Sequence, residues 1–184
     1  MIPTLPLTLR NRLAHTILEA LGDARARRRL RALADSPRSW LATDEEHLAD
    51  HVAARARQAS DALAGRPLLA AGRDLGEALE AAAALFDAGL PFEVHEVLEP
   101  HWAGATGEVR EALQGLIQTA VAYQHLANGN RAGARSLLLE AAGRLRGRAL
   151  LGAELEPLAH EAVGAVAALD AGRTPPAPSF PRPR

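Results

Sequence analysis

The sequence predicts an all-α protein, a bundle of six or seven helices built from antiparallel helix-turn-helix pairs. Apolar residues recur three and four positions apart through most of the chain, as they do along one face of a helix. No segment alternates apolar and polar residues as a half-buried strand does. The paired segments weakly resemble tetratricopeptide units, although no regular repeat period is detectable.

The first part of the chain predicts a helical N-terminal extension, residues 1–72. Residues 8–21 have helical spacing, Arg25–Arg31 form a short basic helix, and residues 35–43 form a turn. Thr43 and Glu46 have the spacing of a capping box, so a helix is expected from about Asp44 to Leu63. His47, Asp50 and His51 lie beside its apolar stripe, and a hydrated helix flank is a better interpretation of them than a metal site.

The second part predicts a core helical domain, residues 73–172, followed by a Pro-rich tail, residues 173–184, that is expected to be disordered. Asp74 caps a helix that ends before Gly89, and Pro91 opens the next helix. Pro100 is expected to kink or end that helix. Further helices are expected over about 108–128, 131–146 and 153–171, the second of them capped by Asn130.

Composition narrows the class of protein. The net charge is −1, all 21 basic residues are Arg, and there is no Cys. A near-zero charge argues against a general nucleic-acid or membrane-surface role, and the lack of Cys removes disulfides and thiolate ligands. No stretch is long enough to cross a bilayer. We therefore expect a soluble cytoplasmic protein that binds neither nucleic acid nor membrane.

One stretch concentrates chemically active residues. Wound as a helix, Phe92, His95, Glu99 and Trp102 share a face, with Glu96 at its flank. Burying a histidine and a carboxylate without partners costs several kcal/mol, on the order of lost hydrogen bonds or more. The sequence therefore predicts that other polar groups meet these two side chains.

A second helical stretch offers such groups. Gln114, Gln118, Val121 and His125 fall within one narrow stripe, opposite an apolar face. Because this stripe is the other strongly polar one inside the apolar region, we expect His95 and Glu99 to converge with Gln114, Gln118 and His125.

These residues carry a resemblance to a known family. The pattern runs from Phe92 through His95-Glu96, Glu99 and Trp102, then through Leu113–Gln118 and on to His125, Gly129-Asn130 and Ala134. Over roughly residues 77–146 it resembles domain of unknown function 309, a family of small helical bacterial and archaeal proteins. Some members carry the label predicted metal-dependent hydrolase, so the resemblance implies a helical fold and a hydrolase-like activity.

A metal site is the first interpretation of the polar cluster. His95-Glu96-x-x-Glu99 is the zincin pattern with Glu in the second ligand position, so His95 and Glu99 would be ligands and Glu96 the general base. His125 would complete the ligand set. A mixed His and Glu set suits Zn, Mn, Fe or Mg. The side chains expected to support the ligands or the substrate are Gln114, Gln118, Trp102 and Arg110.

Two other interpretations stay open on the sequence. The cluster can be structural, with Glu99 paired to a histidine or to Arg110 and the amides bridging helices. Alternatively, the chain is a binding module that takes a small ligand or a partner protein, both unidentified, in a helix-lined groove. A homodimer is expected because the family core is small, unless the extension covers the apolar face left over.

Overall fold

The computed structural model describes residues 5–69 and 74–184. Its eight α-helices confirm the all-α class: α1 Leu7–Gly22, α2 Ala24–Asp35, α3 Ala49–Leu63, α4 Leu75–Asp87, α5 Pro91–Gly104, α6 Gly107–Ala127, α7 Arg131–Leu145 and α8 Glu156–Asp170. Two 3₁₀ segments, Pro37–Trp40 and Thr43–Leu48, lie between α2 and α3. Two short strands, β1 Ala149–Leu150 and β2 Ala153–Glu154, pair antiparallel between α7 and α8.

Local capping signals fix most helix ends as expected. The Asp74 side chain accepts a hydrogen bond from the Glu77 N–H at 2.8 Å. The Asn130 side chain accepts one from the Gly133 N–H at 2.9 Å. Gly89, with a φ of 74°, lets the chain turn from α4 into α5, since the left-handed region costs glycine little. Pro91 then stands in the first turn of α5.

Three local predictions need correction. The capping contact lies one residue earlier than expected, because the Ala42 N–H donates to the Glu45 carboxylate, and the chain passes through a 3₁₀ segment before α3 begins at Ala49. Of the two outcomes expected at Pro100, a kink or the end of the helix, the end is excluded, since α5 continues to Gly104. The last helix starts at Glu156 rather than 153, because the residues before it form the unpredicted β-hairpin.

The N-terminal extension and the predicted core domain share one hydrophobic core. Leu9, Leu13 and Ile17 of α1 belong to the same buried cluster as Leu98 of α5 and Leu116 of α6. A smaller second cluster joins α6 and α7 to α8. The extension therefore packs against the later helices through buried apolar residues of one cluster, and the homodimer stays a prediction. The predicted boundary between residues 72 and 73 lies outside the described residues.

The Pro-rich tail lies along this core, where the sequence predicted disorder. Phe180 is only 5% exposed, and its ring centroid lies 4.8 Å from that of Phe86 in α4. The Tyr123 hydroxyl donates to the Pro176 carbonyl at 2.6 Å. Arg182 pairs with Asp87 at 2.5 Å. These contacts give the tail defined positions without helix or strand.

The described helices include none with both the length and the apolar character needed to cross a bilayer.

Candidate functional site

Helix α5 has one buried side and one partly exposed side. Leu98 and Val94 are buried in the core, together with Glu93. His95 and Glu99 lie on the other side, one turn apart, because residues four positions apart stack on one face of a helix. The sequence therefore directs this side of α5 towards solvent while the helix stays anchored by the opposite side.

His95, Glu96 and Glu99 form a compact triad on the exposed side. His95 Nδ1 lies 3.0 Å from Glu96 Oε1, and His95 Nε2 lies 4.0 Å from Glu99 Oε2. One ligating atom from each of the three side chains falls within 4.8 Å of the others. The side chains are 31%, 33% and 53% exposed, so small molecules can reach them.

The triad geometry fits a divalent cation. When Glu96 accepts a hydrogen bond from Nδ1–H of His95, the Nε2 lone pair is left free on the side of Glu99. An imidazole nitrogen held by a carboxylate in this way is the usual arrangement of a metal-binding histidine. Imidazole and carboxylate are donors for Zn, Mn and Fe, and the absence of Cys leaves no softer ligand.

Each end of the exposed side of α5 carries an aromatic ring covered by an arginine. The Arg10 guanidinium lies 4.2 Å from the centroid of the Phe92 ring. The Arg110 guanidinium lies 4.0 Å from the Trp102 ring and donates to the Trp102 carbonyl at 2.9 Å. Both contacts have cation–π geometry. The triad therefore lies between two positively charged groups.

The structure does not bring His125 into this triad. In the described residues, His95, Glu96 and Glu99 are the one group of three or more His, Cys, Asp or Glu side chains that can share an ion. His125 Nδ1 instead contacts the Asn130 amide at 2.7 Å. Helices α5 and α6 run antiparallel from a short loop, and His125 lies about nine residues, or roughly 14 Å, further from that loop than His95.

Gln118, one of the two predicted glutamines, contacts a residue outside the triad. The Gln118 amide is buried and donates to Glu140 of α7 at 2.7 Å, while its carbonyl oxygen has no hydrogen-bond partner in the described residues. Gln114, one turn earlier, is half-buried on the same face of α6. The polar stripe of α6 therefore meets α7, and the structure links it to the triad by no direct hydrogen bond in the described residues.

Among the described residues, His47, Asp50 and His51 are not grouped closely enough to share an ion. His47 and Asp50 are exposed, and His47 Nδ1 lies 2.9 Å from the Asp44 carbonyl. His51 is half-buried, and its Nδ1 is enclosed with no hydrogen-bond partner in the described residues.

Sequence reasoning missed Glu93, the carboxylate that the fold does bury. Its side chain is almost fully enclosed and pairs with Arg55 of α3 at 3.1 Å. Burial raises the pKa of Glu93 above its usual range, and the positive charges of Arg55 and Arg10 oppose that rise. The signal was present, because Glu93 lies three residues after Leu90 and four before Val97, on the apolar side of α5.

The comparison with known families matches the part of the chain that holds the triad. Residues 79–137 match the family model described as domain of unknown function (DUF309). Neither the curated proteins nor the solved structures give a match. The matched segment contains the whole of α5 and α6 and most of α4. Residues 79–137 of the chain are therefore similar to the domain of unknown function 309 family.

Proposed function

We propose that His95, Glu96 and Glu99 bind a divalent metal ion and that the site supports hydrolase-like chemistry. The observation that carries the proposal is the close approach of one histidine nitrogen and two carboxylate oxygens on an accessible helix face. Such groups on consecutive turns are the ligand types and spacing that proteins use for metal-assisted hydrolysis.

The geometry favours different roles for the two glutamates. His95 Nε2 and the Glu99 carboxylate face each other and are the proposed ligands. Glu96 accepts from the other ring nitrogen of His95, so we assign it to orienting that ring rather than to the general-base role expected from the sequence pattern. A bound cation would lower the pKa of a coordinated water and polarise a substrate oxygen.

The types of ligand atom also limit which metal ion the site can bind. One imidazole beside a carboxylate suits Mn, Fe and Zn, and two protein ligands leave several positions for water and substrate. Mg favours oxygen ligands alone and is the poorest fit to His95.

Exposure argues against a purely structural triad. A buried network needs enclosed partners, yet more than half of the Glu99 side chain is exposed. The enclosed ion pair of this region is Glu93 with Arg55, on the other side of the same helix. The structural role foreseen for the cluster therefore suits Glu93 better than Glu99.

Calorimetric titration of the metal-free full chain with Mn²⁺ and with Zn²⁺ tests the proposal. We expect one ion per chain, and we expect Glu99→Gln and His95→Gln each to weaken binding about tenfold or more, since loss of even an outer-shell partner costs 10–100-fold. His160→Gln is the matched control, because His160 and Glu156 form the same one-turn histidine–glutamate pair on α8, and this pair is not part of a group of three ligands in the described residues.

Two results would contradict the metal site. One is a native chain that binds neither ion. The other is equal affinity in the native chain and in Glu99→Gln, with unfolding curves showing that both are folded. If the metal binds and no ester or phosphoester hydrolysis is detected with the loaded chain, the site serves ligand binding instead.

A further inference from the structure

We propose that Arg10 is a substrate-binding residue, and that the molecule acted on at the triad carries an oxyanion, a carboxylate or a phosphate. The proposal rests on the metal site proposed above and specifies the class of its substrate. It also gives the N-terminal extension a role in the site, since Arg10 lies outside the segment matched by the family model.

The position of Arg10 is set by its contact with α5. Its guanidinium carbon lies 4.2 Å from the centroid of the Phe92 ring. That ring in turn lies 6.5 Å from the His95 ring, centroid to centroid. Phe92 thus contacts both Arg10 and His95, and it lies one turn of α5 before the proposed metal ligand.

One hydrogen-bond donor of the Arg10 guanidinium has no partner in the described part of the chain. Its Nε is enclosed and has no acceptor there. Arg12, on the same helix, shows the ordinary arrangement: it lies 4.1 Å from the Trp40 ring and donates to Glu45 at 2.8 Å and to the Trp40 carbonyl at 3.1 Å. Arg10 has the same kind of ring contact without the carboxylate.

The charges around Arg10 favour an anionic ligand. The nearby carboxylate, Glu93, already pairs with Arg55, so Arg10 adds a second positive charge to one negative group. Glu96 and Glu99 together balance a divalent ion. A loaded site therefore has a positive charge at Arg10 that an oxyanion would match.

The geometry of the guanidinium indicates which anionic groups the ligand carries. A guanidinium presents parallel N–H groups that match the two oxygens of a carboxylate or phosphate, and hydrogen bonds between charged groups are shorter and stronger than neutral ones. Arg110, at the other end of α5, is a weaker candidate because its Nη1 donates to the Trp102 and Ala105 carbonyls and so caps the helix.

Calorimetric titration of the full chain with inorganic phosphate, and separately with acetate, tests the proposal. Both titrations are made on the Mn²⁺-loaded and on the metal-free protein. We expect Arg10→Gln to weaken the binding of the preferred anion about tenfold or more, because a hydrogen bond to a charged group is lost. The anion affinity of Arg10→Lys should lie between those of the native chain and Arg10→Gln, since lysine keeps the charge and lacks the planar pair of donors.

Arg12→Gln is the matched control and should leave anion binding unchanged. The affinity of Arg10→Gln for Mn²⁺ shows whether the triad is still folded, so a failure of the metal site is seen separately. If the native chain binds no Mn²⁺ and anion binding still depends on Arg10, the anion site stands and the metal site falls. Equal anion affinity in the native chain and in Arg10→Gln overturns the proposal, as does a native chain that binds neither anion in either state.

Discussion

Glu93 shows how one residue type serves two purposes on a single helix. Glu96 and Glu99 point towards solvent, whereas Glu93 is enclosed and reaches Arg55 of α3. Taking a charge out of water costs several kcal/mol, and only a close partner offsets that cost. The pair therefore links α5 to α3 of the N-terminal extension. Removing either residue would leave the other charge buried without a partner and destabilise the fold.

We expect Glu93→Leu to lower the free energy of unfolding by about 3–5 kcal/mol, because it leaves Arg55 buried without a partner. The double variant Glu93→Leu/Arg55→Met should recover most of this loss, since an apolar pair of similar volume replaces the ion pair. Urea unfolding of the native chain and both variants measures the difference. Glu99→Gln, on the exposed side of α5, is the control and should stay within about 0.5 kcal/mol of the native chain. A single variant as stable as the native chain would show that the pair contributes little.

For single residues, the sequence predicted correctly the contacts that depend only on spacing within one helix. His95, Glu96 and Glu99 are neighbours because they lie within one turn, and no tertiary information is needed to group them. Arg55 is 38 residues from Glu93, so their pairing depends on how α3 packs on α5. His125 was included in the predicted ligand set because of the face of α6 on which it lies. Its position along the axis of α6 separates it from His95, and the helical pattern does not show how positions along two helices match.

Helices α6 and α7 pack closely together at Gly115 of α6. A Cβ atom at this position would lie 2.7 Å from Leu145 Cγ and 2.8 Å from Leu145 Cδ2 of α7. Real Cβ atoms do not come so close to other carbons, so the absence of a side chain permits the observed packing of the two helices. The glycine within the family pattern Leu113–Gln118 therefore has a packing role.

Gly115→Ala should lower the free energy of unfolding by about 1–3 kcal/mol, the usual cost of an extra methyl group in a packed core. Gly143→Ala on α7 is the matched control, because a Cβ atom added there would have nothing within 4 Å of it, and the change should stabilise the chain by up to about 1 kcal/mol. Thermal or urea unfolding measures both changes. A Gly115→Ala chain as stable as Gly143→Ala would mean that α7 shifts without cost.

The helices themselves were predicted from local signals. Asp74, Gly89, Pro91 and Asn130 act within their own turns, so the sequence places these helix ends correctly. The hairpin of β1 and β2 has only two residues in each strand, too few for an alternating pattern to be recognised. Its turn includes Leu151 at a φ of 50°, a conformation that a leucine in sequence does not suggest.

For the whole molecule, the tail closes over a surface that includes the single tyrosine of the chain, Tyr123. The Tyr123 ring packs edge-on against Phe86, and Phe86 in turn contacts Phe180 of the tail. The tail could not be placed from sequence because its Pro-rich composition has no periodicity and resembles that of disordered segments. The three aromatic rings decide its position, and they come from distant parts of the chain.

Burial, and next the charge of Glu161, raise the pKa of Tyr123 to about 12. Because an unfolded tyrosine ionises near its ordinary value of 10.0, the stability that Tyr123 contributes is complete below that pH. It is lost as the pH rises towards 12. An ultraviolet titration of the phenol should therefore have its midpoint near 12 in the native chain and near 10 in denaturant. A chain ending at residue 172 should titrate closer to 10, whereas a native midpoint near 10 would mean that the tail does not cover the ring.

The chain has two tryptophans, one in the N-terminal extension and one in the segment matched by the family model, called the family segment below. Trp40, beside α2, lies under Arg12, and Trp102, near the end of α5, lies under Arg110, each ring about equally close to its guanidinium. Trp40→Phe and Trp102→Phe would each leave one fluorophore, so emission would report on the extension and on the family segment separately. Because both halves contribute to one hydrophobic core, the two emission curves should coincide during denaturation. An earlier change at Trp40 would instead mean that the extension melts by itself, and the cooperative unit of this protein would then be the family segment alone.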